Sequence, residues 1–196
     1  MKISHKFLLT TLLLLLSQIT EAQTEIPIKS SALVEQISLP TFKKHGGNLG
    51  FGFNIGSEFK YKTKPKIELA QTGEFYFISH KEYGSSFVFA TLFDFRYKPN
   101  DFYIDFKIGP SYMLFHNYSP VYKEVNGKYE KASNLQSKFA AIASLSISYQ
   151  IHNFRPFISY DLLFETPFIQ SNSNFLPHQL LQVGCYYNLI LKKYEK

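Results

Sequence analysis

The stretch Ser86-Phe87-Val88-Phe89-Ala90-Thr91-Leu92-Phe93-Asp94-Phe95-Arg96-Tyr97 alternates with a period of two. Successive side chains of a strand point to opposite faces. Phe87, Phe89, Thr91, Phe93, Phe95 and Tyr97 therefore share one face, and Ser86, Val88, Ala90, Leu92, Asp94 and Arg96 the other. Strands of soluble proteins average about 5–6 residues. A tilted strand that crosses a bilayer needs about 9–11. This run fits the second requirement.

Working outward, the same pattern recurs. Asp101 to Leu114 sets Phe102, Ile104, Phe106, Ile108 and Tyr112 against Asp105, Lys107, Gly109 and Ser111. Ser137 to Ile151 sets Phe139, Leu145 and Ile147 against Lys138, Ser144, Ser146 and Ser148. Weaker alternation marks four more runs, around Phe51 to Tyr61, Ile67 to Phe77, Phe154 to Glu165 and Leu181 to Leu191. Turn signals separate them: Lys64-Pro65, Tyr83-Gly84, Lys98-Pro99-Asn100-Asp101 and His152-Asn153. Ser119 to Asn134 and Gln170 to Pro177 read as longer loops. Tight turns at one rim and longer loops at the other fit a membrane barrel.

The second face decides between a sandwich and a barrel. A sandwich would turn it to bulk water and load it with Lys and Glu. Here it carries Gly50, Gly52, Gly56, Ala90, Gly109, Ser144, Ser146 and Gly184, which suit a narrow lumen. Glu58, Glu74, Asp94, Arg96, Asp105, Lys107, Arg155, Asp161 and Glu165 are interspersed, with both signs available to pair across it. Aromatics near the run ends, Phe59 with Tyr61, Phe95 with Tyr97, Phe102 with Tyr103, Tyr149 and Phe154, read as interfacial girdles. The expected fold is all-β: an antiparallel up-and-down transmembrane β-barrel of about eight strands with a filled lumen. A secreted soluble β-sandwich or lipocalin-like binder is the alternative fold.

The composition agrees. Of 196 residues, 17% are aromatic and 18% charged, against roughly 25% charged in soluble domains. The apolar content excludes a disordered chain. A single cysteine, Cys185, excludes a disulfide framework. Lys2 and Lys6 precede an apolar stretch from Phe7 to Leu16, and Ala22 is a small residue at the end of a polar segment. This is the layout of a secretory signal peptide. The expected organisation is a cleaved signal peptide over 1–22, an N-terminal lead segment over 23–47 that could include the first strand, a barrel over 48–192 and a polar tail over 193–196. Bacterial single-chain barrels have even strand numbers. The missing eighth strand is expected at Ser31 to Phe42, with Leu33, Ile37, Leu39 and Phe42 as its apolar positions, or else within Tyr122 to Tyr129.

Phe42-Lys43-Lys44-His45 leading into Gly46-Gly47, the Gly-rich aromatic hairpins, and the closing Gln182-Val183-Gly184-Cys185-Tyr186-Tyr187-Asn188-Leu189 together resemble small outer-membrane β-barrel proteins of Bacteroidota. The resemblance covers roughly residues 40 to 192. It implies the cell outer membrane of a Gram-negative bacterium as location, with outer-membrane lipid and the barrel insertion machinery as partners. Many such barrels end on an aromatic read by that machinery. Here the chain continues through Lys192-Lys193-Tyr194-Glu195-Lys196, with Tyr194 available for the role.

Chemistry is sparse. Some small outer-membrane barrels are lipid-modifying enzymes of deacylase or acyltransferase type, built on Ser, His and an acid. The candidates here are His116 with Ser119, and Ser171, Ser173 and His178 with Glu165. A serine nucleophile needs a histidine within hydrogen-bond reach and an acid to orient it. Ser171 to His178 resembles a deacylase His-x-Ser-Asn signature, but its histidine lies five residues after Ser173. His45, His80 and His152 are scattered and suggest no metal site, and no cofactor motif is present. Lys43, Lys44, Lys60, Lys62, Lys64 and Lys66 crowd one region, as a solvated rim or a contact for phosphates and anionic lipid. No nucleic-acid motif accompanies the net charge of +6. The expected role is structural or loop-mediated binding without an open channel, ahead of the enzyme alternative.

Overall fold

The computed structural model describes residues 25–37, 49–81, 83–125, 127–166 and 176–190. Eight antiparallel strands close into one barrel: β1 (Glu25–Ile37), β2 (Gly50–Thr63), β3 (Ile67–His80), β4 (Gly84–Tyr97), β5 (Phe102–Asn117), β8 (Leu135–Tyr149), β9 (Phe154–Thr166) and β10 (Leu176–Ile190). A separate two-stranded hairpin, β6 (Tyr122–Val125) and β7 (Lys128–Lys131), stands between β5 and β8. Every barrel strand pairs with its neighbours in the chain, except that β5 pairs β8 across the hairpin. β1 closes the barrel on β10, from Glu25↔Ile190 to Ile37↔His178. Closure leaves no free sheet edge, which a lipid environment demands.

β2–β3, β4–β5 and β8–β9 are joined by short turns at one end, the turn rim. Asn100 and His152 take left-handed backbone there, with φ of 58° and 54°. The other connections share the opposite end, the loop rim. One of them is also tight, since β3 and β4 are only three residues apart. No helix among the described residues is long and apolar enough to cross a membrane; the strands make the crossing.

Alternation sorts the side chains as the dipeptide period requires. Phe89, Phe93, Phe106, Ile147 and Leu189 are exposed on the outside, while Asp94, Asp105, Lys107, Ser146 and Asp161 are buried in the lumen. Outside, aromatic rings form a ladder across β2, β3 and β4. Ring centroids lie 5.6 Å apart for Phe53–Phe77, 5.2 Å for Phe77–Phe87 and 5.1 Å for Phe75–Phe89. So large an exposed apolar surface is a lipid-facing belt.

Three expectations are corrected. The eighth strand starts six residues earlier than expected, at Glu25–Ile37, inside the 23–47 segment that could hold it. Residues 38–42 of the expected strand lie outside the described residues. Leu33, one of the apolar positions expected for this strand, points into the lumen and is 3% exposed. The physical reason is a mixed strand: Ser30 and Ala32 face out while Leu33 faces in, and neither face reads as clean. Tyr122 to Tyr129, the rival for the eighth strand, contributes to the β6–β7 hairpin instead. Tyr103, expected in the girdle, turns inward, with its ring 5.0 Å from the Arg155 guanidinium.

Candidate functional site

The lumen is filled in three strata. The half nearer the turn rim holds an ionic network centred on Arg96. Its Nε donates to Asp105 (2.7 Å), Nη1 to Glu58 and Glu68 (both 3.0 Å), and Nη2 to Glu58 and Asp94 (both 2.7 Å). Those bonds occupy all five donors of the guanidinium fork. Arg155 donates to the same Glu58 at 3.2 Å and lies 4.1 Å from the Tyr186 ring. Deeper in, Glu74 accepts from Lys29 (2.6 Å), Lys107 (3.1 Å) and the Tyr76 hydroxyl (2.9 Å). Lys107 also donates to the Tyr186 oxygen at 2.7 Å. Asp161 accepts from Ser144 at 2.6 Å and from Gln182, which Ser31 in turn contacts at 2.8 Å. All nine residues expected to share the lumen lie in it: Glu58, Glu74, Asp94, Arg96, Asp105, Lys107, Arg155, Asp161 and Glu165 are each buried.

Above this network sits an apolar layer of Leu33, Ile78, Val88, Met113, Ile142, Leu163 and Leu180, all buried. All but Ile142, at the midpoint of β8, lie in the halves of their strands nearer the loop rim. Buried side chains with no polar atoms leave a water molecule nothing to bond. The layer fills part of the lumen with apolar side chains, beside buried polar groups such as Ser86, which pairs with Ile78.

The third stratum closes the loop rim. Glu35 on β1 bonds two histidines, His80 Nε2 on β3 at 2.6 Å and His178 Nδ1 on β10. His178 Nε2 lies 3.2 Å from Glu165 on β9, which also binds Lys138 on β8. One chain of contacts thus ties five strands. Gly50 on β2 makes room for it: a methyl group there would stand 2.6 Å from the His80 ring and 3.0 Å from Glu35. The pairing of His178 with Glu165 was legible in the sequence. Glu35 was missed, and His80 was read only as suggesting no metal site, not as a member of this cluster. The available signal was parity, since both occupy inward positions near strand ends. No group of His, Cys, Asp and Glu among the described residues converges to hold a metal.

Removing Glu35 leaves two buried imidazoles without their shared acceptor. An unsatisfied buried polar group costs about 1–3 kcal/mol. Glu35→Ala is expected to destabilise the barrel by about 2–4 kcal/mol, read from urea unfolding in vesicles by loss of the folded band on unheated gels. Glu35→Gln, which can still bond both rings, should recover part of it.

The enzyme candidates are dispersed. His116 lies exposed on the outer face, its ring 6.0 Å from that of Tyr118, and it makes no hydrogen bond to Ser119. Among the described residues no serine hydroxyl bonds His116 or His178. Ser171 and Ser173 lie outside the described residues. Ser85 faces His116 across β4 and β5, but its hydroxyl is taken by Tyr118 at 2.7 Å, and Ser79 lies 3.3 Å from the same phenol. Bonding from Ser79 and Ser85 lowers the Tyr118 phenol from its ordinary value. The hairpin beyond it exposes Tyr122 and Tyr129, the latter 75% accessible.

No protein-family model matches this chain, and no curated protein matches it. Solved structures do. Ail, the attachment invasion locus protein of Yersinia pestis, superposes with a TM-score of 0.52 at 13% identity, over 85% of this chain and 99% of that one. Neisserial surface protein A superposes with a TM-score of 0.51 at 9% identity, over 83% and 95%. At such identities the likeness is one of fold. That fold, with its lipid-facing belt, is the eight-stranded β-barrel of outer-membrane proteins.

Proposed function

We propose that this chain is a non-conducting outer-membrane barrel that presents its loop rim, and the β6–β7 hairpin above all, for binding. The observation that carries the reading is the lumen. An eight-stranded interior is just wide enough for side chains to fill, and here the apolar-layer residues Ile78, Val88, Met113 and Leu163 are each 0% exposed. Ion networks on one side of the layer and the Glu35 cluster on the other fill the described lumen further with paired side chains. The rigid wall then serves as a scaffold for loops, the usual carriers of recognition. Exposed Tyr122 and Tyr129 supply aromatic surface on a short two-stranded ribbon, and aromatic side chains are enriched among binding hot spots.

The purified barrel is expected to give no single-channel current in planar bilayers, at any voltage the bilayer withstands. Stepwise ohmic conductance would overturn the plugged reading. Tyr122→Ala with Tyr129→Ala should leave folding unchanged and lower adhesion of cells displaying the protein to host or bacterial surfaces. The rival reading, a lipid-modifying enzyme, requires a serine on His116 or His178, and acyl release from outer-membrane lipid by the purified protein would favour it.

A further inference from the structure

We propose that Lys62, Lys64 and Lys66 form a binding surface for the phosphates of anionic phospholipid in the leaflet at the turn rim. The argument starts from a register shift. β2 and β3 pair Phe59↔Gln71 and Lys60↔Ala70, and then Lys62↔Leu69, so Tyr61 is the extra residue of a β-bulge. Before the bulge, even-numbered residues of β2 face the lumen, as Glu58 does. Directly paired residues share a face, so Lys62 stands with Leu69, on the face that carries Gln71 and Phe93. Bulges re-aim side chains in this way. An ordinary register would have sent Lys62 to the lumen, where anionic partners abound. The bulge sends it to the lipid side, beside Tyr61, which is 57% exposed at the edge of the apolar belt.

The next two lysines extend the patch. Lys64 and Lys66 flank Pro65 in the β2–β3 turn, and both are exposed. The turn is fixed, with Lys64 N donating to Ile67 O at 2.8 Å and Lys98 N donating to Lys66 O at 2.9 Å. The nearby carboxylate cannot neutralise them. Glu68 already faces Lys98 (3.0 Å), Lys60 (3.9 Å) and Arg96 (3.0 Å). Lys62, Lys64 and Lys66 make no ion pair among the described residues. Three lysines with no ion pair among the described residues, on a hydrogen-bonded turn just beyond an aromatic girdle, stand at headgroup depth, where long lysine stems reach along apolar surface and place the charge at the interface. The complementary partner at that depth is a lipid phosphate carrying net negative charge, its acyl chains against Leu69 and Phe95.

The test uses the full barrel in phosphatidylcholine bilayers, with spin-labelled phosphatidylglycerol and spin-labelled phosphatidylcholine compared for association with the protein. A lysine near an anionic surface contributes a factor of about 5. The parent protein is expected to prefer phosphatidylglycerol by about 5-fold or more, and Lys62→Gln/Lys64→Gln/Lys66→Gln to lose that preference. Lys128→Gln/Lys131→Gln, at the other rim, should keep it. Gel mobility of the unheated sample checks that each variant is folded. If the triple variant misassembles, Lys64→Gln/Lys66→Gln provides the same comparison outside the strands. Equal preference in parent and folded triple variant overturns the proposal. So does full displacement of phosphatidylglycerol by millimolar inorganic phosphate, which would mark a site for the free ion.

Discussion

Replacing Arg96 with Met is expected to destabilise the barrel more than any other single change in the lumen, by about 3–5 kcal/mol. The side chain is 0% exposed and uses every donor it has, on four carboxylates. Those carboxylates are not equally dependent on it. Glu58 keeps Arg155, and Glu68 keeps Lys98 and Lys60. Asp94 and Asp105 keep no other cation within salt-bridge distance among the described residues. The cost is therefore that of two buried carboxylates left without a counter-charge, and it should be visible as a lower midpoint in guanidinium unfolding of vesicle-embedded protein. Adding Asp94→Asn and Asp105→Asn to Arg96→Met should restore much of the loss, because neutral amides no longer need the cation. Arg96→Lys should fall between, since an ammonium offers three donors and no planar fork. An Arg96→Met barrel that unfolds at the parent's midpoint would show that the network does not hold the lower lumen together.

Phe93→Arg is expected to cost about 2–4 kcal/mol through the opposite face. Phe93 lies on the lipid side of β4, 43% exposed, four residues from the strand end at Tyr97. An arginine there must carry its charge into hydrocarbon or drag water towards it. The penalty is depth-dependent, which supplies an internal control. Ile147 faces lipid too, but only two residues from the end of β8. Ile147→Arg should cost about 0–1 kcal/mol, as substitutions near the interface do. The comparison is made by folding each variant into vesicles and measuring unfolding midpoints. Equal small effects at both positions would mean that the belt is not where this assignment of faces puts it.

Period-two alternation by itself pointed to a membrane-spanning barrel and marked its lipid face. In β4, β5 and β8 the two faces differ so strongly in polarity that a one-residue slip would put phenylalanines in the lumen and aspartates in lipid. No tertiary information is needed to exclude that. The same parity placed Arg96, Glu58 and Asp105 together as a class. Which of them touch was decided only by the barrel's closure and register, because partners such as Glu58 and Arg155 lie 97 residues apart in the chain. β1 shows where the pattern fails: with Ala32 and Ser30 outside and Leu33 inside, polarity does not distinguish its faces, and pairing with β10 and β2 fixes them instead. The Glu35 cluster depended on that strand. His80 and His178 are 98 positions apart and become neighbours only because β1 inserts a carboxylate between them. The bulge at Tyr61 is the same lesson on a smaller scale: alternation places Lys62 in the lumen, and one extra residue in the ladder turns it to the lipid.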